Sequence, residues 1–181
     1  MESEIKIKDK TFKKYIRQNE ISGIIDSLAQ RINSDYTDMQ SVVFIVMLNG
    51  AFMFAADLLK RIKGLPTISF VKFSSYNSTD QSGKIKQLIG LNEDLTDKHV
   101  IIVEDIVDTG LTMKHFLQQM EGFKYKTLDI CTLMFKPGKF QEHFPIKYIG
   151  KEISDEFIIG YGFDLDGTGR NFADIYQLKE N

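Results

Sequence analysis

The sequence predicts an α/β protein built on a parallel sheet, and three observations carry that prediction. Residues 42–48, 100–103 and 128–135 are nearly continuous apolar runs, the signature of strands buried on both faces. Between them stand stretches with apolar residues at three-to-four spacing, which read as amphipathic helices. Small and acidic residues fill the places where an apolar run gives way to a helical pattern. Such strand-to-helix turns are where open α/β sheets bind ligands.

Taken in order, residues 1–10 predict a short strand with Ile5 and Ile7 in alternation. Residues 12–32 predict a helix with Ile21, Ile24, Ile25, Leu28 and Ile32 on one face. Residues 33–40 are polar and turn-like, and the seven apolar residues 42–48 form a buried strand. Asn49-Gly50 turns the chain into a second helix over 52–61, packed through Phe54, Leu58, Leu59 and Ile62 and ended by Gly64-Leu65-Pro66. Residues 67–73 alternate as a strand. Residues 74–86 hold one aromatic and almost no other apolar group, which predicts a long functional loop, and 86–91 a returning strand.

The central strand, 99–103, leads into a helix carrying Met113, Phe116, Leu117 and Met120. Residues 128–135 are the next buried strand, broken by Lys136-Pro137-Gly138. Short strands are expected at 147–150 and 157–161, and a Gly/Asp-rich loop at 160–170. No repeat or linker divides the chain, so residues 1–181 are expected to form one domain with its core at about 35–150. The irregular terminal segments, about 1–15 and 150–181, suit a small hood over the carboxyl ends of the strands.

Bulk properties exclude several classes. With 43% hydrophobic and 27% charged residues the chain is ordinary for a soluble globular protein. A net charge of −2 offers nothing global to attract nucleic acid or an anionic membrane. The single cysteine, Cys131, lies in an apolar run and is expected to pack in the core, in keeping with a reducing compartment. The charged start lacks an apolar leader segment, and the most apolar window, 42–56, is interrupted by Asn49-Gly50 and too short for a bilayer span. The expectation is a cytoplasmic protein. His99, His115 and His143 show no metal-ligand spacing. Fitting Asp166-Gly167 to a calcium loop would place Gly162 and Ala173 at ligand positions that need side-chain oxygens, so that reading is rejected.

The chemistry concentrates at residues 100–113. Glu104 and Asp105 follow the apolar run, then come Ile106, Val107, Asp108 and Thr109-Gly110-Leu111-Thr112. Thr109, Gly110 and Thr112 let main-chain N–H groups converge on an anion at the start of the next helix. Glu104 and Asp105, acceptors only, suit ribose hydroxyls or a hydrated Mg²⁺. Asp108 stands between them and can accept a proton. Donors for phosphate beside acceptors for sugar describe a sugar-phosphate site. A bare helix cap leaves the two acids at the strand's exit unexplained.

The stretch Glu104-Asp105-Ile106-Val107-Asp108-Thr109-Gly110-Leu111-Thr112 resembles the phosphoribosyl-pyrophosphate (PRPP) motif of type I phosphoribosyltransferases. Weaker likenesses elsewhere narrow it to the hypoxanthine-guanine phosphoribosyltransferase family. The resemblance covers about residues 42–170 and implies a Rossmann-like parallel sheet flanked by helices, the type I phosphoribosyltransferase fold, with a hood. It implies purine salvage: transfer of the phosphoribosyl group from PRPP to a 6-oxopurine, with Mg²⁺ as cofactor, in a dimer or tetramer.

Site roles follow from the same resemblance. Residues 104, 105 and 108–112 would hold PRPP, with Glu104 and Asp105 at the metal, Asp164 near the base or at a second metal, and Asp108 as proton acceptor. Leu48, Asn49, Gly50 and Arg170 would hold pyrophosphate. Many relatives carry a basic residue where Asn49 stands, and the peptide before it is often cis. Lys136 would fix the purine 6-oxo group, with Lys139 the competing choice, and Phe157, Ile158 and Asp164 would meet the base. Ser75 and Tyr76 resemble the root of the family's mobile catalytic loop, a lid that keeps water from the reacting sugar carbon. Readings left standing beside this one are a non-catalytic PRPP-sensing regulator, a Mg²⁺ phosphoacceptor domain, and the same chemistry with xanthine preferred.

Overall fold

The chain builds two sheets, one from its middle strands and one from the strands that precede and follow them. The computed structural model describes residues 3–74, 86–89, 91 and 93–179. It opens with strands β1 (Glu4–Ile7) and β2 (Lys10–Ile16), then helix α1 (Gln18–Asp35). There follow β3 (Val42–Leu48), α2 (Phe52–Leu59), β4 (Thr67–Ser74) and β5 (Lys86–Ile89). Next come β6 (His99–Val107), α3 (Leu111–Met120), β7 (Thr127–Phe135) and β8 (Tyr148–Glu152). The chain closes with β9 (Ile158–Ile159) and β10 (Ile175–Leu178).

The larger sheet runs β5-β4-β3-β6-β7-β8. Its five strands from β4 to β8 are parallel, and β5 joins the edge antiparallel to β4. Alternate residues of the central strands feed two cores. Phe44, Val46, Ile101, Val103 and Leu133 pack with α1 and α2, while Val43, Ile45, Val100, Ile102 and Ile130 pack with α3. Burying each such aliphatic side chain contributes roughly 1.5–3 kcal/mol. This two-faced burial is why β3, and β6 from Val100 to Val103, read as unbroken apolar runs.

The smaller sheet, β1-β2-β10-β9, is antiparallel and joins the two terminal segments. Buried Asp174, just ahead of β10, binds them to the core: its Oδ1 accepts the backbone N–H of Gln18 at 2.8 Å, and Lys14 Nζ lies 2.7 Å from its Oδ2.

Four expectations need correction. Residues 12–17 are not helix: β2 pairs with β1 and β10, and α1 starts at Gln18. Phe12 and Ile16 are both fully buried, and a spacing of four puts two residues on one face of a strand as well as of a helix. The first helix also runs on to Asp35 through residues read as turn. The central strand does not stop at Val103 but pairs with β7 as far as Val107, so Glu104 and Asp105 belong to the strand itself. Charged residues hid that extension. Strand β10 was not anticipated; it pairs with β9 on one side and, on the other, with β2 of the opposite terminal segment.

Candidate active site

The site forms where β3 and β6 deliver their carboxyl ends side by side. Asp105 is buried, and its carboxylate lies against Gly50, where a Cβ on residue 50 would overlap it. Only glycine allows this approach of the first strand-to-helix turn to the acidic strand. The Leu48–Asn49 peptide is cis, as the resemblance implied.

Glu104 lines a cavity of about 220 Å³ together with residues 106–113. Burial pushes the Glu104 carboxyl well above the usual carboxylate range, and the adjacent Asp105 charge pushes the same way. Burial also raises Asp105, opposed by its hydrogen bond with Glu104, the Ile106 N–H and the charge of Arg170.

Beyond the strand, the turn at 108–112 is shaped by Gly110, whose φ of 87° is the left-handed conformation glycine adopts without strain. The Leu111 N–H donates to Thr109 Oγ1 at 3.4 Å, and α3 begins there. The segment after β7 clasps this turn from outside. The Lys136 N–H donates to Val107 O at 3.0 Å and the Gln141 N–H to Thr109 O at 3.2 Å, while Lys114 pairs with Glu142 at 3.0 Å. Sequence reading missed this clasp, because residues 140–142 carry no local signal for it.

Lys136 is only 4% exposed, and its Nζ donates to Asp108 Oδ2 at 3.3 Å. Lys139 lies 3.8 Å from the same oxygen but is well exposed. The structure thus separates the two lysines: one inside the site, one at its rim. Two oxygens of the site, Glu104 Oε2 and Asp108 Oδ1, are buried with no hydrogen-bond partner among the described residues; the other such atom, Asp174 Oδ2 in the terminal sheet, has Lys14 as its ion-pair partner. Orphaned buried acceptors cost roughly 1–3 kcal/mol each, so a ligand has something to repair.

The C-terminal loop closes the arrangement. Arg170 donates to Gly162 O at 2.6 Å and pairs with Asp164 Oδ1 at 2.6 Å, while the Gly167 N–H holds Asp164 Oδ2. Ile158 is buried in β9, and Phe157 beside it keeps 43% of its surface exposed, its ring 6.3 Å from that of Phe12. Asp164 is therefore engaged by Arg170, and among the described residues no three His, Cys, Asp or Glu side chains gather as a metal cage. Ser75 and Tyr76 lie outside the described residues.

A parallel sheet whose central strand carries adjacent acids and leads into a glycine-shaped turn at the start of α3 defines an α/β protein with its candidate ligand site at the carboxyl ends of the strands. Comparison with known proteins makes this specific. Residues 13–166 match the family model described as phosphoribosyl transferase domain. Hypoxanthine-guanine phosphoribosyltransferase of Staphylococcus epidermidis is 36% identical over 165 residues, 91% of this chain and 92% of the relative. That of Aquifex aeolicus is 33% identical over 175 residues, covering 96% and 98%. The crystal structure of a hypoxanthine-guanine phosphoribosyltransferase from Bacillus anthracis superposes with a TM-score of 0.85 at 36% identity, covering 98% of this chain and 99% of that one. The chain belongs to the hypoxanthine-guanine branch of the phosphoribosyltransferase family.

Proposed function

We propose that this protein is a purine-salvage transferase that moves the 5-phosphoribosyl group of PRPP to hypoxanthine or guanine, giving IMP or GMP and pyrophosphate. One observation carries the substrate class: a buried lysine, Lys136, donating to Asp108 at the exit of the acidic strand. A buried ammonium with three donors serves a 6-oxo acceptor, whereas the 6-amino group of adenine would oppose it.

In the reaction, purine N9 bonds to C1′ of the ribose as the bond from C1′ to the pyrophosphate oxygen breaks. Lys136 fixes O6 and still keeps a donor for Asp108, which takes the proton from N7. The N–H groups of residues 109–112 hold the 5′-phosphate at the start of α3. Phe157 offers its exposed ring to the face of the base, and the main chain at Ile158 reads its edge. Leu48, Asn49, Gly50 and Arg170 hold the pyrophosphate. Glu104 and Asp105 would face the ribose hydroxyls and hold Mg²⁺, and Asp164, paired with Arg170, would lie near the base or a second metal ion. Oxygen-only acids with an unpaired buried Oε2 fit that ion, which takes one or two carboxylates and completes its shell from phosphates and water. When bound, Mg²⁺ neutralises charge on the departing pyrophosphate. No covalent intermediate is required, so positioning and charge stabilisation supply the acceleration.

The reading extends to a single domain, with the terminal segments hooding the core, at work in the cytoplasm. Among the described residues no helix is long and apolar enough to cross a membrane. Exposed Ile68 and Phe70 on β4, with Leu65 just ahead of it, support assembly into a dimer or tetramer, which light scattering would test. The test of function is pyrophosphate release from Mg-PRPP with hypoxanthine, guanine, xanthine and adenine. Turnover with 6-oxopurines and none with adenine supports the reading. PRPP binding without turnover on any base would overturn it in favour of a sensor.

A further inference from the structure

Tyr161 has no place in the chemistry above, yet it is among the most constrained residues in the chain. It is 3% exposed and holds a φ of 51°, a left-handed conformation that costs a bulky side chain about 1–2 kcal/mol. Its hydroxyl donates to Asp57 Oδ2 at 2.5 Å, across 104 residues of sequence. Burial and this hydrogen bond both push the phenol's pKa up, so it stays a donor.

The two partners belong to different halves of the proposed site. Asp57 sits on α2, the short helix that starts at the Leu48–Gly50 turn. That helix is itself tied to α1 through Arg61, two residues past its end, which donates to Asp57 O at 2.8 Å and to Ser22 Oγ at 2.7 Å and pairs with Asp26. Tyr161 sits between the purine-facing pair Phe157 and Ile158 and the loop carrying Asp164 and Arg170. Its N–H donates to Phe172 O at 2.8 Å, and the next N–H, Gly162, donates to Arg170 O at 3.0 Å. Gly162 in turn packs so closely on the Gly50 carbonyl that a Cβ there would overlap it. One hydroxyl therefore stands beside the backbone contact that registers the Arg170 loop against the Gly50 turn.

We propose that Tyr161, acting through Asp57, is a positioning residue that sets the two pyrophosphate-holding segments at a fixed separation. This rests on the transferase reading above. The purine side is anchored independently, since β9 is zipped to β10 through Tyr176↔Ile159 and Gln177↔Ile158. Loss of the hydroxyl should thus weaken pyrophosphate recognition and leave purine recognition alone.

The experiment compares Tyr161→Phe, Asp57→Ala, Asp57→Asn and the Tyr161→Phe/Asp57→Ala pair. Tyr161→Phe is expected to raise KM for PRPP, and the Kd for magnesium pyrophosphate by calorimetry, about tenfold, the effect of one lost hydrogen bond to a charged acceptor. KM for hypoxanthine should stay within about twofold on the same argument. Asp57→Asn keeps an acceptor and should stay near wild type, while the double variant should match either single one closely, because both remove the same bond and the other partner of Asp57, Lys60 at 3.0 Å, is an exposed pair that contributes little. Equal losses for both substrates, additive losses in the double variant, or an Asp57→Asn as impaired as Asp57→Ala would overturn the proposal. Should Tyr161→Phe not fold, the two Asp57 variants decide alone. The calorimetric arm keeps this test separate from the transferase reading: a wild type without turnover defeats that reading, while the pyrophosphate affinities still report on the coupling.

Discussion

Strands β6 and β7 carry polar groups at both ends, and the two ends are finished differently. At the amino end, His99 Nδ1 meets Thr127 Oγ1 at 2.7 Å and the Tyr36 hydroxyl donates to Asp129. Lys147 lies 2.9 Å from Asp129 and 3.3 Å from Asp35, and the Tyr148 hydroxyl donates to Asp35 at 2.6 Å. The ammonium of Lys147 also sits 5.2 Å and 5.1 Å from the ring centres of Tyr36 and Tyr148. Each of these groups has a protein partner. At the carboxyl end, Glu104 Oε2 and Asp108 Oδ1 are buried without one among the described residues. Buried polar atoms are normally satisfied. A closed network holds a fold together, and an open one keeps acceptors for something that arrives.

The sharpest way to break this contrast is Asp108→Asn. The amide still accepts from Lys136 but cannot take a proton at neutral pH, so kcat for IMP formation should fall about 10²–10⁴-fold. The melting temperature should barely move, because the pair with Lys136 survives as a hydrogen bond. A variant with near-normal kcat would remove Asp108 from the chemistry and leave its open oxygen unexplained.

Ligand addition tests the same end from the other direction. PRPP with Mg²⁺ at about a hundred times Kd should stabilise the protein by about 2.7 kcal/mol. For a chain of this size that is a rise of roughly 5–10 °C in melting temperature. Mg²⁺ alone should give little, because the protein offers no complete cage among the described residues. A full shift with the metal alone would mean that the carboxyl end binds the ion without substrate phosphates.

Asp129→Ala makes the opposite prediction. It takes an acceptor from both Tyr36 and Lys147, and should cost about 1–3 kcal/mol, or several degrees in melting temperature, with kcat unchanged. If activity fell in step with Asp108→Asn, the two ends would be coupled through β7 and the division would fail.

The two ends also differed in how far the sequence revealed them. Motif chemistry exposed the carboxyl end: acids, then Thr109-Gly110-Leu111-Thr112, are a local signature. The all-apolar β3 was legible to its boundaries, because a strand buried on both faces leaves no polar residue to blur the pattern. The amino-end network was invisible, since Asp35, Asp129 and Tyr148 come from three elements and are each ordinary alone. The same holds for Asp57 with Tyr161 and for the fit of Asp105 against Gly50. Phe12 and Ile16 misled because their spacing satisfies both periods, and only pairing with β1 and β10 decides between them.

The smallest effect separates the ends by pH. The Tyr148 hydroxyl, and after it Lys147, hold the Asp35 carboxyl below its ordinary value against the opposing effect of burial. A carboxylate with a folded pKa below its unfolded value of about 3.9 contributes stability that is fully present above that value. The contribution is lost as pH falls through the lower, folded pKa. The side chain is 41% exposed, so solvent screening keeps the effect to under about 1 kcal/mol. Asp35→Asn retains an acceptor for Tyr148 but has no charge to lose. The gap in melting temperature between wild type and this variant should be constant from about pH 5 to 7 and narrow below about pH 4. A gap that stayed flat into acid would mean that the charge of Asp35 adds nothing. The amino end would then be held by neutral hydrogen bonds, and its lysine would be solvated rather than part of the closure.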